Sequence, residues 1–283
     1  METKEQYKDC ILFYRLGDFY EMFFDDALVA SKELEITLTG KSCGLEERAP
    51  MCGIPYHAVE GYLSKLVSRG YKVAICEQVE DPKLAKGLVK REVIRVVTPG
   101  TNLNVQSLEA GKNNYLLSIA YTSDGIGISA ADVTTGDYYV TEVEDLKKLN
   151  DELMKYEPSE IICNEAFLVS GFDVNDLKSR LHISVNALES HMFDDDGCRR
   201  ILMKHFKVNT LIGLGVEEFP TGLLAAGALL QYLYDTQKTD LEHFTHIYPY
   251  LTSKYMLLDS STRRNLELTE LSLIHISEPT RRS

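Results

Sequence analysis

The sequence predicts an α/β protein built from two units, and three observations predict it. Over the first hundred residues, short apolar runs rich in β-branched and aromatic side chains alternate with stretches whose apolar residues recur at helical spacing. From residue 115, three apolar runs separated by tight-turn signals give way to alternating helix and strand patterns, the order expected of a central sheet flanked by helices. Between the two, residues 99–112 (PGTNLNVQSLEAGK) are polar, turn-rich and without periodicity, which reads as a linker. A chain of 283 residues is long enough for two domains of ordinary size, each with its own core.

In the first unit, residues 11–15 read as a buried strand, 19–34 as a helix and 36–39 as a short strand. Residues 57–68 are amphipathic, with Val59, Tyr62, Leu63, Leu66 and Val67 on one helical face, and Gly70 is placed to close that helix. Two apolar strands follow, 71–79 and 93–98, the second stopped by Pro99-Gly100. The second unit opens with strands 115–122, 126–133 and 137–143, turned by Ser123-Asp124-Gly125 and Thr134-Thr135-Gly136. A helix at 144–155, a strand at 160–163 and helices near 195–206 and 220–236 complete it. Residues 245–270 begin a further segment with no core of its own to pack against.

Hydrophobic residues make up 44% and charged residues 26%, the balance of a soluble globular protein. No run approaches the roughly 18 apolar residues that span a bilayer, and the start of the chain lacks the apolar stretch and small-residue cleavage site of a signal peptide. Six cysteines (10, 43, 52, 76, 163 and 198) form no CxxC pair and no zinc spacing, so a reduced, cytoplasmic protein without a metal is expected. The formal charge of −13 argues against a polyanionic partner, but its distribution does not. Residues 1–100 hold 14 Lys/Arg against 16 Asp/Glu, and the remainder 16 against 27, so −11 of the −13 lies beyond residue 100. Lys83, Lys86, Lys90, Arg91 and Arg95 cluster with Glu92 as the local counter-charge, and local field steers a ligand more than net charge does.

The run GDFYEMF at 17–23 puts an aromatic ring, Phe19, and a carboxylate, Glu21, two residues apart where a buried strand is expected to turn into a helix. Such a pair suits a wedge that stacks on an unstacked base, worth roughly 1–3 kcal/mol per base, beside an acid that tests a base edge. A carboxyl needs a proton to donate to a purine N7, and a desolvated, phosphate-rich site favours taking one up. On spacing alone the commoner alternative is a core aromatic beside a solvated first-turn acid. Thr39-Gly40-Lys41-Ser42 ends like a phosphate-binding loop, but Glu35 stands where the first glycine belongs; Lys41 reads as a loop lysine, either solvated or on a DNA phosphate. His57, at a helix start, has no metal-ligand or acid–base partner nearby and fits a capping or DNA-backbone role. Met51 reads as an exposed loop residue close to the wedge. Asp132, on a strand, invites a metal-dependent nuclease reading, but no second strand carboxylate joins it, and the acidic run 192–197 (MFDDDG) reads as a loop leading into a helix.

The block ILFYRLGDFYEMFFDDA (11–27), with GIPYHAVEGYLSKLV (53–67), AICEQVEDP (74–82) and VVTPGT (96–101) in order, resembles the first domain of the MutS family of DNA mismatch repair proteins. Residues 113–240 resemble its connector domain, and DSSTRRNLEL (259–268) the start of its core domain, so the similarity covers essentially residues 3–270. The resemblance implies a small mixed α/β mismatch-recognition domain at 1–100, a linker at 101–112, a ribonuclease-H-like α/β connector at 113–240 and the start of a core or lever domain at 241–270. It implies Phe19 as wedge and Glu21 as base-edge reader on mismatched or looped-out double-stranded DNA, with Lys41, Met51 and His57 as candidate backbone or loop contacts. A MutL-like partner through the connector, and a homodimer with ATP and magnesium in the complete family architecture, are implied as well. No complete Walker A loop is present, so this chain is expected to have no ATPase activity and no cofactor of its own. The alternative is a protein-interaction module that docks a MutL-like repair partner without touching DNA. Residues 271–283, with LSLIHISEPTR, match the in-frame translation of a common sequencing-library adapter and are expected to be artefactual.

Overall fold

Pairing the predicted strands leaves two sheets, one in each unit. A computed structural model of the chain describes residues 2–42, 44, 48–80, 89–102 and 113–252. The first unit runs α1 (Glu2–Gln6), β1 (Cys10–Leu16), β2 (Phe19–Phe23), α2 (Phe24–Leu34), β3 (Thr39–Lys41), β4 (Ala49–Pro55), α3 (Val59–Val67), β5 (Lys72–Gln78) and β6 (Arg91–Val97). Its six strands lie in the order β3-β4-β2-β1-β5-β6, antiparallel except for the β1–β5 pair. Alternation along the strands sends Ile11, Phe13, Tyr20, Met22, Cys52, Ile54, Val73 and Val97 to one face, where α2 and α3 cover them with Ala27, Ala30, Leu63, Leu66 and Val67. Gly70 closes α3 as the spacing predicts. Its φ is +86, its N–H donates to Val67 O (2.9 Å), and Tyr71 N–H donates to Leu66 O (3.2 Å), the two bonds of a Schellman cap.

The second unit runs β7 (Tyr115–Tyr121), β8 (Ile126–Asp132), β9 (Asp137–Val143), α4 (Leu146–Tyr156), β10 (Glu160–Cys163), α5 (Glu165–Leu168), α6 (Val174–Ser179), β11 (Ser184–Ala187), α7 (Asp195–Phe206), α8 (Pro220–Gln237) and β12 (Tyr248–Pro249). The sheet order is β11-β10-β7-β8-β9-β12: an antiparallel meander, then two parallel strands beside its first member, with a short parallel strand at the far edge. Counted within the unit, its first five strands run 3-2-1-4-5, the ribonuclease-H-like arrangement. Helices cover both faces. Leu116, Tyr138, Val140 and Ile162 meet α7 and α8, while Leu117, Ile119, Ile128 and Ile161 meet α4, α5 and α6. β8 is buried along its whole length for that reason.

The stretch joining the units is packed where it is described. Pro99–Thr101 is a buried 3-10 turn, closed by the Thr98 and Thr101 side chains in a capping box. The Gly100 N–H donates to Glu160 (3.0 Å); Glu160 is fully buried and also accepts from Asn186 Nδ2 (3.0 Å) and the Tyr232 hydroxyl (2.8 Å). Residues 103–112 of the expected linker lie outside the described residues, as do 253–283, with the expected core-domain block and the adapter-like tail. The segment expected over 245–270 begins against the second unit's sheet, while its TRRNLEL stretch (262–268), expected to have no core to pack against, lies outside the described residues. Tyr248–Pro249 pairs with β9, and Tyr250 is tied to Thr141 and Tyr156 (2.7 and 3.0 Å), because the exposed β9 edge still had ladder groups to satisfy. Among the described residues, no helix is long and apolar enough to cross a membrane.

Candidate nucleic-acid interface

The expected helix over residues 19–34 is two elements. Residues 19–23 are strand β2, and the helix begins at Phe24, whose φ of +51 is a left-handed value uncommon for a bulky residue. β1 and β2 are joined by the two-residue loop Gly17-Asp18, with Leu16 opposite Phe19 and Gly17 at φ +59 in the first loop position, as in a type II′ hairpin turn. The apolar density of FYEMFF resembles a helix, but its alternation satisfies β1 on one side and β4 on the other.

This correction changes the site. Residues two apart share a face in a strand and not in a helix. Tyr20 and Met22 point into the core, while Phe19, Glu21 and Phe23 project from the opposite face. Phe19 is 48% exposed. Across β4, Pro55 stands opposite Phe19, Gly53 opposite Glu21 and Met51 opposite Phe23. Lys41 lies on the short edge strand β3, not in a loop, and its ammonium ion-pairs with Glu21 across β4 and lies 5.6 Å from the centre of the Phe23 ring. Met51 is likewise on a strand, partly buried between Phe23 and Thr39, because β4 needs both neighbours to complete its ladders. Phe19, Glu21, Lys41 and Met51 thus belong to one sheet face.

His57 sits beside them on the 3-10 turn Tyr56–Ala58, edge-on to the Tyr56 ring at 5.8 Å, and is exposed. The Tyr56 N–H donates to Asp18 O (3.0 Å), which fastens this turn to the tip of the hairpin. Of the basic cluster, Lys83 and Lys86 lie outside the described residues. Lys90 pairs with Glu92 at 2.6 Å, and Arg91 turns inward: Nε donates to Arg15 O (3.0 Å) and Nη1 to Val89 O (2.9 Å).

Sequence reasoning missed Arg15, Tyr56 and Glu77. Arg15 Nη1 is 3.5 Å from Glu77, and its guanidinium lies 3.9 Å from the Tyr56 ring centre. Glu77 also accepts the Tyr20 hydroxyl, whose pKa is pushed up to about 12 by burial and by that carboxylate. Leu16-Gly17-Asp18-Phe19 contained the signal: read as a hairpin, it places Arg15 directly across from Tyr20.

Asp132 does not form a nuclease centre. It is fully buried and accepts from Asn114 N–H (3.0 Å), Thr134 N–H (2.8 Å) and the Thr134 hydroxyl (2.6 Å), so Oδ1 fixes the turn after β8 and Oδ2 the residue before β7. Among the described residues no group of three or more His, Cys, Asp or Glu is placed to hold a metal ion.

With this geometry in view, two family models match the chain: MutS domain I over residues 1–106 and MutS domain II over residues 114–245. The chain is similar to proteins named DNA mismatch repair protein MutS. That of Lachnoclostridium phytofermentans is 67% identical over 270 residues, covering 95% of this chain and 29% of the relative. That of Ruminiclostridium cellulolyticum is 52% identical over 273 residues, covering 95% and 31%, and that of Clostridioides difficile 47% over 288 residues, covering 99% and 30%. The chain therefore spans about a third or less of the length of these relatives.

Proposed function

The chain belongs to the MutS family of DNA mismatch repair proteins, and on that premise we propose that it binds mispaired or looped-out bases in double-stranded DNA through the open face of β2. Phe19 is the wedge and Glu21 the base-edge reader. The observation that carries this reading is a half-exposed aromatic beside a hairpin tip, on the same strand face as a carboxylate. A ring stacked on an unstacked base gains roughly 1–3 kcal/mol, and a mispair costs least to unstack, so deformability becomes discrimination. Lys41 and His57 flank the wedge as candidate backbone contacts, and Met51 supports the strand beneath Phe23. The partners proposed with it follow the family: a MutL-like protein on the second unit, and a dimer once the ATP-hydrolysing part of the architecture is present.

The test is binding to a fluorescent duplex with one G·T mismatch and to its matched counterpart at low salt. The mismatch is expected to bind more tightly, and Phe19→Ala to bring the ratio to about one while leaving weak, salt-sensitive duplex binding. Equal loss on both duplexes would remove the wedge assignment. A protein-interaction module has its own support in the second unit, where Val169 is 84% and Ile212 71% exposed on an acidic body. That reading predicts capture of a MutL-like protein with no salt-dependent DNA binding.

A further inference from the structure

The turn of the wedge hairpin is held by Arg15 from within the hairpin and by Tyr56 and Arg91 from outside it, and the Arg15 side chain links the turn to both Tyr56 and Glu77. The three carbonyls around the turn are each occupied. Arg15 O accepts from Arg91 Nε (3.0 Å), Gly17 O from Arg15 Nε (2.5 Å) and Asp18 O from the Tyr56 N–H (3.0 Å). The Arg15 guanidinium meanwhile pairs with Glu77 and lies over the Tyr56 ring, 3.9 Å from its centre. β5 and β4 flank the paired strands at Cys10–Tyr14 and Phe19–Phe23, but the Gly17-Asp18 loop between them lies outside those ladders. Driving a ring between base pairs costs unstacking energy, and a turn that yields would absorb that load instead.

We propose that Arg15 is a positioning residue for mismatch recognition, locking the Gly17-Asp18 turn against Tyr56 and Glu77 so that Phe19 is rigid before DNA arrives. The proposal rests on the reading of Phe19 as wedge. A guanidinium suits the position, since its Nε donates to Gly17 O while Nη1 pairs with Glu77 and the cation sits over the Tyr56 ring; an ammonium, a single point charge, does not reach all three. Arg15 is not a phosphate contact, because its side chain is 18% exposed and already committed to Glu77, Gly17 and Tyr56.

Two measurements on the full chain test this, with Arg15→Met, Arg15→Lys, Tyr56→Leu and Phe19→Ala. Hydrogen exchange followed by mass spectrometry over residues 13–23 needs no DNA. Exchange at the turn is expected to rise about tenfold in Arg15→Met and Tyr56→Leu, with Arg15→Lys giving little rescue and peptides of the second unit unchanged. Unchanged exchange at the turn overturns the proposal. In the duplex assay, Arg15→Met is expected to lower the mismatch-to-match ratio toward one while preserving matched-duplex affinity and its salt slope. A slope shallower by about one unit would make Arg15 a phosphate contact and overturn the proposal, as would a ratio kept by Arg15→Met but lost by Phe19→Ala. A ratio unmoved by Phe19→Ala, or no duplex binding by the parent chain, defeats the mismatch reading instead, and the exchange result then decides the positioning claim alone. Should Arg15→Met not fold, Tyr56→Leu carries both measurements.

Discussion

Glu21 and Lys41 face each other across β4, an acid and a base on the face proposed to meet DNA. Paired, the carboxylate presents less bare negative charge to an incoming backbone; unpaired, it repels. Exposed ion pairs contribute only about 0–1 kcal/mol to stability, so this pair should matter more for binding than for folding. Lys41→Met is expected to leave the melting temperature within about 3 °C and to weaken matched and mismatched duplexes alike. Glu21→Gln is expected to change the mismatch-to-match ratio more than the affinity for matched DNA. Titrations of both variants and the double variant measure the coupling directly; a ratio unmoved by Glu21→Gln would remove its role as reader.

At the scale of elements, α7 carries a pH dependence. His205 Nε2 is 2.8 Å from Phe244 O, so it donates there, and Nδ1 then accepts the Tyr234 hydroxyl (2.6 Å). Burial, partly opposed by the Phe244 carbonyl, lowers the His205 pKa from 6.5. A histidine with a depressed folded value stabilises the fold above its unfolded value, and that contribution is lost as pH falls through 6.5 and below. Urea midpoints at pH 7.5 and 5.5 should therefore fall further for the wild type than for His205→Gln, which is expected to be the less stable at pH 7.5. Sequence periodicity already gave α3, α7, α8 and the β7–β9 meander nearly to the residue, because each carries a long pattern with a clear stop. β2 was misread because five residues are too few to separate a strand's alternation from a helix's apolar density. β12 was invisible because two residues earn their place only by completing an edge. The aromatic and the acid of the site were legible as residue types, whereas the stack of Arg15 on Tyr56 joins positions 41 apart and needed the fold.

For the whole molecule, Glu160 is a joint between the units. One buried carboxyl group gathers Gly100 from the first unit's exit turn, Asn186 from β11 and Tyr232 from α8. Replacing one of its oxygens with an amide sets donor against donor, and leaving a buried donor unsatisfied costs about 1–3 kcal/mol. Glu160→Gln is expected to lower overall stability by that amount and to split a shared calorimetric transition into two, one per unit. A single transition at the wild-type temperature would show that the joint does not couple them.

A load applied to Phe19 has a defined route out of the hairpin. From β2 it passes to β1, β5 and β6, three rungs of about 4.8 Å or roughly 14 Å in all, and β6 runs straight into the turn that Glu160 grips. Hydrogen-bonded ladders resist shear within their plane, so Phe19 is tied through three successive ladders to a turn clamped in the neighbouring unit. The ladder has one irregular rung, the register shift between Ile75 and Cys76 where β5 meets β6. If the sheet flexes under a load on Phe19, its compliance belongs there, two to three strands from the ring that bears the force.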